Sequence, residues 1–275
     1  MADRLEFVHP VDEDWRQFLL AAEEEGWRVP AFELQLFRRP LADSALALRN
    51  GGRFAGLVTL INHGKSAWIG NLIVPEVLRG KGYGKMLLDQ AILRLEEQGT
   101  RSIWLTASEA GFPLYRRRGF ELFGQVERWV LSEGGASGNG VPCCKEAGNK
   151  LYALETAVWG EQRALLELLF PRGKALHCGS NVALLQQEPG MQILGPWYAA
   201  STDREEQRGL LDSAIAVARA GEELVIDVRA GAIPEQVLAQ AGFVLRGHTR
   251  LMVRGDADDI DLLPLVSFAS LGSMG

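Results

Sequence analysis

Apolar residues recur along this chain with two periods, and the changes between them divide it into strands and helices. After a short strand-like opening, "DEDWRQFLLAAEEEGW" sets Trp15, Phe18, Leu19 and Ala22 on one helical stripe. "AFELQLFRR" predicts a second, shorter helix that ends before Pro40. "SALALRNGGRFAGLVTLINHGKSAWIGNLIVP" reads as three strands, with turn chemistry at Asn50-Gly51-Gly52 and Asn62-His63-Gly64-Lys65. A helix from Gly84 to about Gln98 follows, with Leu87, Leu88, Ala91, Ile92 and Leu95 at helical spacing. "SIWLTA" is a strand, "GFPLYRRRG" a short helix, and "FELFGQVERWVLS" supplies closing strands.

The periodicity then stops. Residues 133–150 are dominated by glycine, serine and polar side chains and predict a linker between two domains, 1–132 and 151–275. Beyond it, "ETAVWGEQRALLELLF" reads as helix, and "NVALLQQ" and "MQILGPWYAAS" as strands. "TDREEQRGLLDSAIAVARAG" predicts a helix opened by a capping box of Thr202 and Glu205. "ELVIDVR" is a strand, and "PEQVLAQAGFVLRGHTRLMVRG" a helix followed by strands. The two parts look related. The G-F-x-x-x-G of Gly119-Phe120 and Gly124 returns as Gly242-Phe243 and Gly247, each glycine displaced by the same 123 positions. The matching order of elements around it points to duplication.

Composition narrows the function classes. With 275 residues, 47% of them hydrophobic, the chain can build two ordinary cores. A net charge of -6 argues against a nucleic-acid partner, and Arg116-Arg117-Arg118, its only basic block, reads as a solvated helix face. The three cysteines, Cys143, Cys144 and Cys178, form no spaced framework, so neither a disulfide scaffold nor a metal site is expected. The start lacks the plan of a secretory signal, and no apolar run approaches membrane-spanning length. The expectation is a soluble cytoplasmic protein with no membrane partner.

The candidate chemistry lies in "NLIVPEVLRGKGYGKMLLDQAILRLEEQG". Gly80, Gly82 and Gly84 stand where a strand feeds a helix, so that successive N–H groups can converge on one point. The helix dipole adds positive charge there, and Arg79, Lys81 and Lys85 add more, which suits a phosphate or pyrophosphate. The spacing G-x-G-x-G is neither a dinucleotide fingerprint nor a P-loop, and the preceding meander is antiparallel. A glycine-rich turn with exposed lysines is the competing reading.

In context, these residues resemble the GCN5-related N-acetyltransferase (GNAT) family. Its cofactor signature [RQ]-x-x-G-x-[GA] appears as Arg79-Gly80-Lys81-Gly82-Tyr83-Gly84 after the strand "NLIV", and its later element as "LTASEAGFPLYRRRGF", with Tyr115 four residues before Gly119. The order of elements from Leu5 to Leu131 fits as well. One departure is that Pro75 stands four residues before Arg79, where the family usually has three. The resemblance implies an α/β (α+β) fold of two acyl-CoA N-acyltransferase-like domains, each a mixed, mostly antiparallel sheet flanked by helices.

The resemblance also implies roles. The fourth strand, Leu72, Ile73 and Val74, would pair with the pantetheine arm and acetyl carbonyl of acetyl-CoA. The N–H groups of the loop, including Tyr83, would hold the pyrophosphate. Tyr115 would protonate the departing thiolate. Ser108 either touches the cofactor or caps the next helix. Asn71, the lone polar residue of its strand, either relays a proton through water or makes a structural hydrogen bond; no general base is visible. Trp27 and Phe32, beside Glu33, either line the acceptor pocket or pack the first two helices together. Glu109 and His63 read as exposed, and Trp197 and Tyr198 either face a cleft between the domains or fill the core.

In the second domain, Ser201-Thr202-Asp203-Arg204-Glu205-Glu206 replaces the glycine loop, and Leu238 stands where Tyr115 would recur. Its carboxylates would satisfy the helix start and repel a pyrophosphate, so this domain reads as degenerate. The reading overall is a metal-free acetyltransferase that moves the acetyl group of acetyl-CoA to a primary amine, a small molecule in preference to a protein. The alternatives are a non-catalytic acyl-CoA sensor and an acyltransferase for another acyl group or a protein amine.

Overall fold

The computed structural model describes residues 4–132 and 145–275. In chain order, the first half comprises β1 (Leu5–Val8), α1 (Asp12–Glu24), α2 (Ala31–Arg38), β2 (Ala45–Asn50), β3 (Arg53–Asn62) and β4 (Ser66–Ile73). α3 (Tyr83–Glu97), β5 (Ser102–Ala107), α4 (Phe112–Arg116) and β6 (Glu121–Leu131) complete it. The second half opens with α5 (Lys145–Trp159), α6 (Leu165–Leu169), β7 (Gly173–Cys178), β8 (Asn181–Glu188) and β9 (Met191–Ala199). It ends with α7 (Arg204–Val217), β10 (Glu223–Arg229), α8 (Glu235–Gln240), β11 (Val244–Gly255) and β12 (Leu265–Ser267).

The helix α5 starts inside the expected linker, because Ala147 and Leu151, four apart, bury one face in the core. The remainder of that linker, with Cys143 and Cys144, lies outside the described residues. Cys178 is a free thiol.

All strands join one mixed, mostly antiparallel sheet in the order β1-β2-β3-β4-β5-β11-β6-β10-β12-β9-β8-β7. The halves therefore do not own separate sheets. β11 of the second half lies between β5 and β6 of the first, and β6 in turn pairs with β10 of the second. The exchange is pseudo-symmetric. The β6–β11 ladder skips one residue on each strand, Phe123 and Arg246, again 123 positions apart. The repeat extends to the turns before these strands: Gly119 and Gly242 both have positive φ, and the N–H groups of Phe120 and Phe243 donate to the carbonyls of Tyr115 and Leu238 at 3.2 and 3.0 Å.

Alternation along the strands feeds cores on both faces. Leu57, Ile61, Trp68, Trp104, Leu184 and Tyr198 point to one continuous core with α1, α2, α5 and α6. Their neighbours Val58, Leu60, Ile69, Ile103 and Leu105 pack under α3, and Ala183, Leu185 and Trp197 under α7. Leu19, expected on the buried stripe of α1, is 38% exposed, and Ala21 takes its place in the core. Trp197 and Tyr198 are core residues rather than cleft residues: the Trp197 indole donates to Asn181 Oδ1 at 3.0 Å, and the Tyr198 hydroxyl accepts from Trp159 at 3.2 Å. His63 is not an exposed turn residue. Its Nε2 lies 3.0 Å from Arg163 Nη2, and burial with that cation holds its pKa well below the ordinary value.

Candidate active site

β4 and β5 run parallel but pair only from Ser66–Trp68 to Ser102–Trp104, and then part. A β-bulge drives the divergence. Gly70 faces Thr59 and Ile73 faces Leu57, so Asn71 and Leu72 together stand opposite Val58. Asn71 takes φ +50°, a left-handed conformation that Asn tolerates better than most residues. At the level of Gly70 and Thr106 the gap is taken up by the C-terminal tail. A Cβ on Gly70 would lie 2.5 Å from Ser273 Cα, and one on Gly272 2.7 Å from Thr106 Oγ1. The Trp68 indole donates to the Gly272 carbonyl at 3.0 Å and holds the tail there. Beyond it the gap opens into a cavity of about 660 Å³.

One wall of this cavity is the start of α3. Gly80 and Gly82 take φ +78° and +84°, with open space beyond each, whereas Gly84 is helical and a Cβ there would meet Leu114 and Val74 at an ordinary 3.7 Å. Gly82 is the N-cap, has no side chain to cap with, and no carboxylate occupies the first turn. Met86 N–H is the first to turn back, to Gly82 O at 3.0 Å. Among the described residues, none of the backbone N–H groups from Gly80 to Lys85 has a protein acceptor. Six successive amides without a protein acceptor at a helix start are an arrangement that suits an anion. Lys81 and Lys85 are exposed beside it, and Arg117 lines the same cavity.

Arg79 is not a mobile cation: its guanidinium pairs with Glu25 and donates to Val74 O at 3.2 Å, which ties the loop to α1 and β4. The additional residue between Pro75 and Arg79 is absorbed by a 3₁₀ turn, Glu76–Leu78, closed by Leu78 N–H to Pro75 O at 2.8 Å. Tyr83 contributes its backbone to the loop. Its ring is buried and its hydroxyl accepts from Asn50 Nδ2 at 2.9 Å.

Leu72, Ile73 and Val74 line the cavity from β4, and Ser108 from the end of β5. The Ser108 hydroxyl accepts from Gly111 N–H at 3.2 Å, which is a turn-capping contact. Tyr115 lies on the opposite wall, 8% exposed, with no hydrogen bond on its hydroxyl among the described residues. Burial alone pushes its phenol above the ordinary value.

Asn71, Trp27, Glu33, Arg128 and Thr249 also line the cavity. Phe32, expected there with Trp27, is absent from the lining; it belongs to the core and carries the Arg172 guanidinium 4.5 Å above its ring. The adjacent residue on α2 takes the place. Glu33 is 4% exposed, and Asn71 Nδ2 approaches its Oε1 at 3.4 Å. Burial raises its pKa, and the Ser273 hydroxyl, the Asn71 amide and the charge of Arg128 offset part of that rise. The Ser273 hydroxyl lies alongside without completing a hydrogen bond of ordinary geometry.

Residues 11–120 match the model of the acetyltransferase (GNAT) family. The match falls within the first half and takes in the loop from Gly80 to Lys85 and Tyr115. Several solved structures like this chain span both of its halves. An archaeal protein from Pyrococcus horikoshii assigned as an acetyltransferase has a TM-score of 0.78 at 18% identity, over 98% of this chain and 96% of that one. A GCN5-related N-acetyltransferase from Sphaerobacter thermophilus has a TM-score of 0.68 at 14% identity, over 96% and 99%. A glucosamine N-acetyltransferase region of a fungal multi-domain β-N-acetylglucosaminidase has a TM-score of 0.66 at 12% identity, over 92% and 38%. At such identities the likeness is one of fold. Comparison with curated proteins gave no match. Among the described residues no helix is long and apolar enough to cross a membrane, and no cluster of three metal-ligating side chains occurs.

Of the residues the sequence singled out, the cavity gathers Trp27, Asn71, Leu72, Ile73, Val74, Arg79, Gly80, Gly82, Tyr83, Gly84, Lys85, Ser108 and Tyr115. Lys81 stands on the glycine loop and Phe32 is left out. Sequence reasoning missed Glu33 as a cavity residue, and it missed Arg117 and Arg128. Arg117 was hidden in an ordinary basic run. Arg128 carried no local signal, since its place depends on β6 lying against β10.

Proposed function

We propose that the first half binds acetyl-CoA and transfers its acetyl group to a primary amine on a small molecule. The observation that carries this reading is the run of six N–H groups without a protein acceptor, from Gly80 to Lys85, in a loop that lines the cavity. Acetyl-CoA supplies an activated thioester and a diphosphate, and this chain offers a complement to both. The amides and the start of α3 would hold the diphosphate, with Lys81, Lys85 and Arg117 beside it for further phosphate. The edge of β4 at Leu72 and Ile73, which β5 does not cover because its pairing with β4 ends at Trp68, would hold the amide-bearing arm.

The chemistry required is modest. A neutral amine forms the new C–N bond, the C–S bond breaks, the sulfur leaves with a proton, and the nitrogen gives one up. Confining both reactants in one cavity supplies much of the acceleration. Tyr115 stays protonated across the working pH range because its phenol is buried, and so serves the leaving sulfur as a hydrogen-bond donor and proton source. The degenerate second domain supports the small-molecule preference: its tail, Leu271–Ser273, walls the acceptor end. The domain limits 1–132 and 151–275 remain useful as chain segments, although the sheet runs through both.

The test is direct. Acetyl-CoA should raise the melting temperature of the wild type and, with an amine, release free thiol. Tyr115→Phe should keep the thermal shift and lose most of the thiol release. Stabilisation without transfer to any amine would favour a sensor, and stabilisation by another acyl-CoA in preference would change the acyl group.

A further inference from the structure

The acceptor end of the cavity carries two opposite charges that are held apart. Glu33 is buried on α2, contacted by Asn71 at 3.4 Å. Arg128, on β6, is braced from the second half: its Nε and Nη2 donate to the two carboxylate oxygens of Asp227 at 2.7 and 2.6 Å, and Nη2 also donates to Leu271 O at 3.1 Å. Nη1 has no acceptor among the described residues. Both side chains line the cavity, and each feels the other's charge, yet they form no ion pair with one another. A bidentate brace of this kind fixes the plane of the guanidinium and leaves its remaining edge to a ligand. A buried carboxylate and a fixed guanidinium on one cavity, unpaired with each other, suit a ligand that bears both charges itself.

We infer that the acceptor is a small amino acid or a close relative, its amine seated at Glu33 and its carboxylate at Arg128. This inference rests on the acetyl-transfer reading and gives it a substrate class. The ammonium form of the acceptor passes one proton to the Glu33 carboxylate, so an N–H bond breaks, an O–H bond forms and the nitrogen lone pair is freed for attack. Burial favours the protonated product of that step. The second half then has a function without binding any cofactor: Asp227 aims Arg128, and Leu271–Ser273 close the end of the site.

The experiment uses the full chain with acetyl-CoA and a panel of L-α-amino acids, each beside its α-amide and its decarboxylated amine, with glucosamine included. Thiol release should show at least one amino acid exceeding its amide and amine about tenfold or more in kcat/KM. Arg128→Met should bring that ratio towards one, and Arg128→Lys, which keeps the charge but not the fork, should leave it between the two. Glu33→Gln should lower turnover of every accepted amine about 100-fold. A second readout is binding: in the presence of coenzyme A, the preferred amino acid should raise the melting temperature of the wild type and not of Arg128→Met. Equal or better use of amines without a carboxylate, a preference that survives Arg128→Met, or no acetylation by a protein that acetyl-CoA stabilises, would overturn the inference. Failure of acetyl-CoA to stabilise the wild type would instead strike the acetyl-transfer reading.

Discussion

The two long helices that begin beside the cores, α3 and α7, start in opposite ways. α3 leaves its first N–H groups bare behind two glycines of positive φ, with cations nearby. At α7, Asp203 accepts from the N–H groups of Glu205 and Glu206 at 2.8 and 3.3 Å. The Glu206 carboxylate is itself taken by Ser180 N–H at 2.9 Å and the Ser180 hydroxyl at 2.6 Å. One fold thus appears twice, once with its polar groups unspent and once with them satisfied internally. The two helices differ in what stands at their starts: carboxylates at the N-cap and in the first turn of α7, and none in the first turn of α3.

The sharpest way to break this comparison is to write the second half's chemistry into the first. Gly80→Glu with Gly82→Asp should weaken acetyl-CoA at least about 100-fold by calorimetry; the space beyond both positions is open but their positive φ strains any side chain, so an unchanged far-UV circular dichroism spectrum is the accompanying check on the fold. Wild-type binding at two acetyl-CoA per chain would overturn the contrast from the other side. Tyr115→Phe should reduce kcat about 100-fold and leave acetyl-CoA affinity unchanged. Leu238, its counterpart, carries no hydroxyl and no expected role in turnover.

A smaller effect concerns the second half's own ionisable core. Burial pushes the Glu155 carboxyl up to about 7 from an ordinary 4.5, against the partial relief of Arg163. The folded chain therefore holds a proton that the unfolded chain has lost. The corresponding stability is complete below pH 4.5 and disappears as pH rises through about 7. Denaturant titrations should show about 3 kcal/mol of this dependence, flattened in Glu155→Gln. Asp203→Ala should cost about 1 kcal/mol for the lost cap and create no acetyl-CoA site, since Glu206 stays in place. Least of all, Gly84→Ala should change stability by less than about 1 kcal/mol and keep acetyl-CoA binding, because its Cβ meets only ordinary contacts.

Much of the fold was legible because it is local. Hairpin turns at Gly51-Gly52 and Gly64, the α3 stripe and the repeated G-F-x-x-x-G all rest on near neighbours in sequence. The loop from Gly80 to Lys85 was legible for the same reason. Thr202 was mistaken for the cap of α7 because Thr202 and Asp203 both suit that place, and only the backbone turn decides between them. The acceptor end was not legible. Glu33 enters the cavity and Phe32 turns away from it through the rotation of α2, and Arg128 reaches it through Asp227, which is far along the chain. Nor did periodicity reveal the shared sheet, since strand partners beyond a hairpin leave no trace in the order of elements. The short β7 and β12 escaped for lack of any alternating pattern.

That shared sheet has a consequence for how the protein is made. A ribosome that has completed β5 has not yet produced the strand that covers its edge, which ends only at Gly255. The nascent loop from Gly80 to Lys85 is therefore mounted on unfinished scaffolding until synthesis is nearly over, and a gene cut between the halves would yield two products with raw edges in place of two self-sufficient domains.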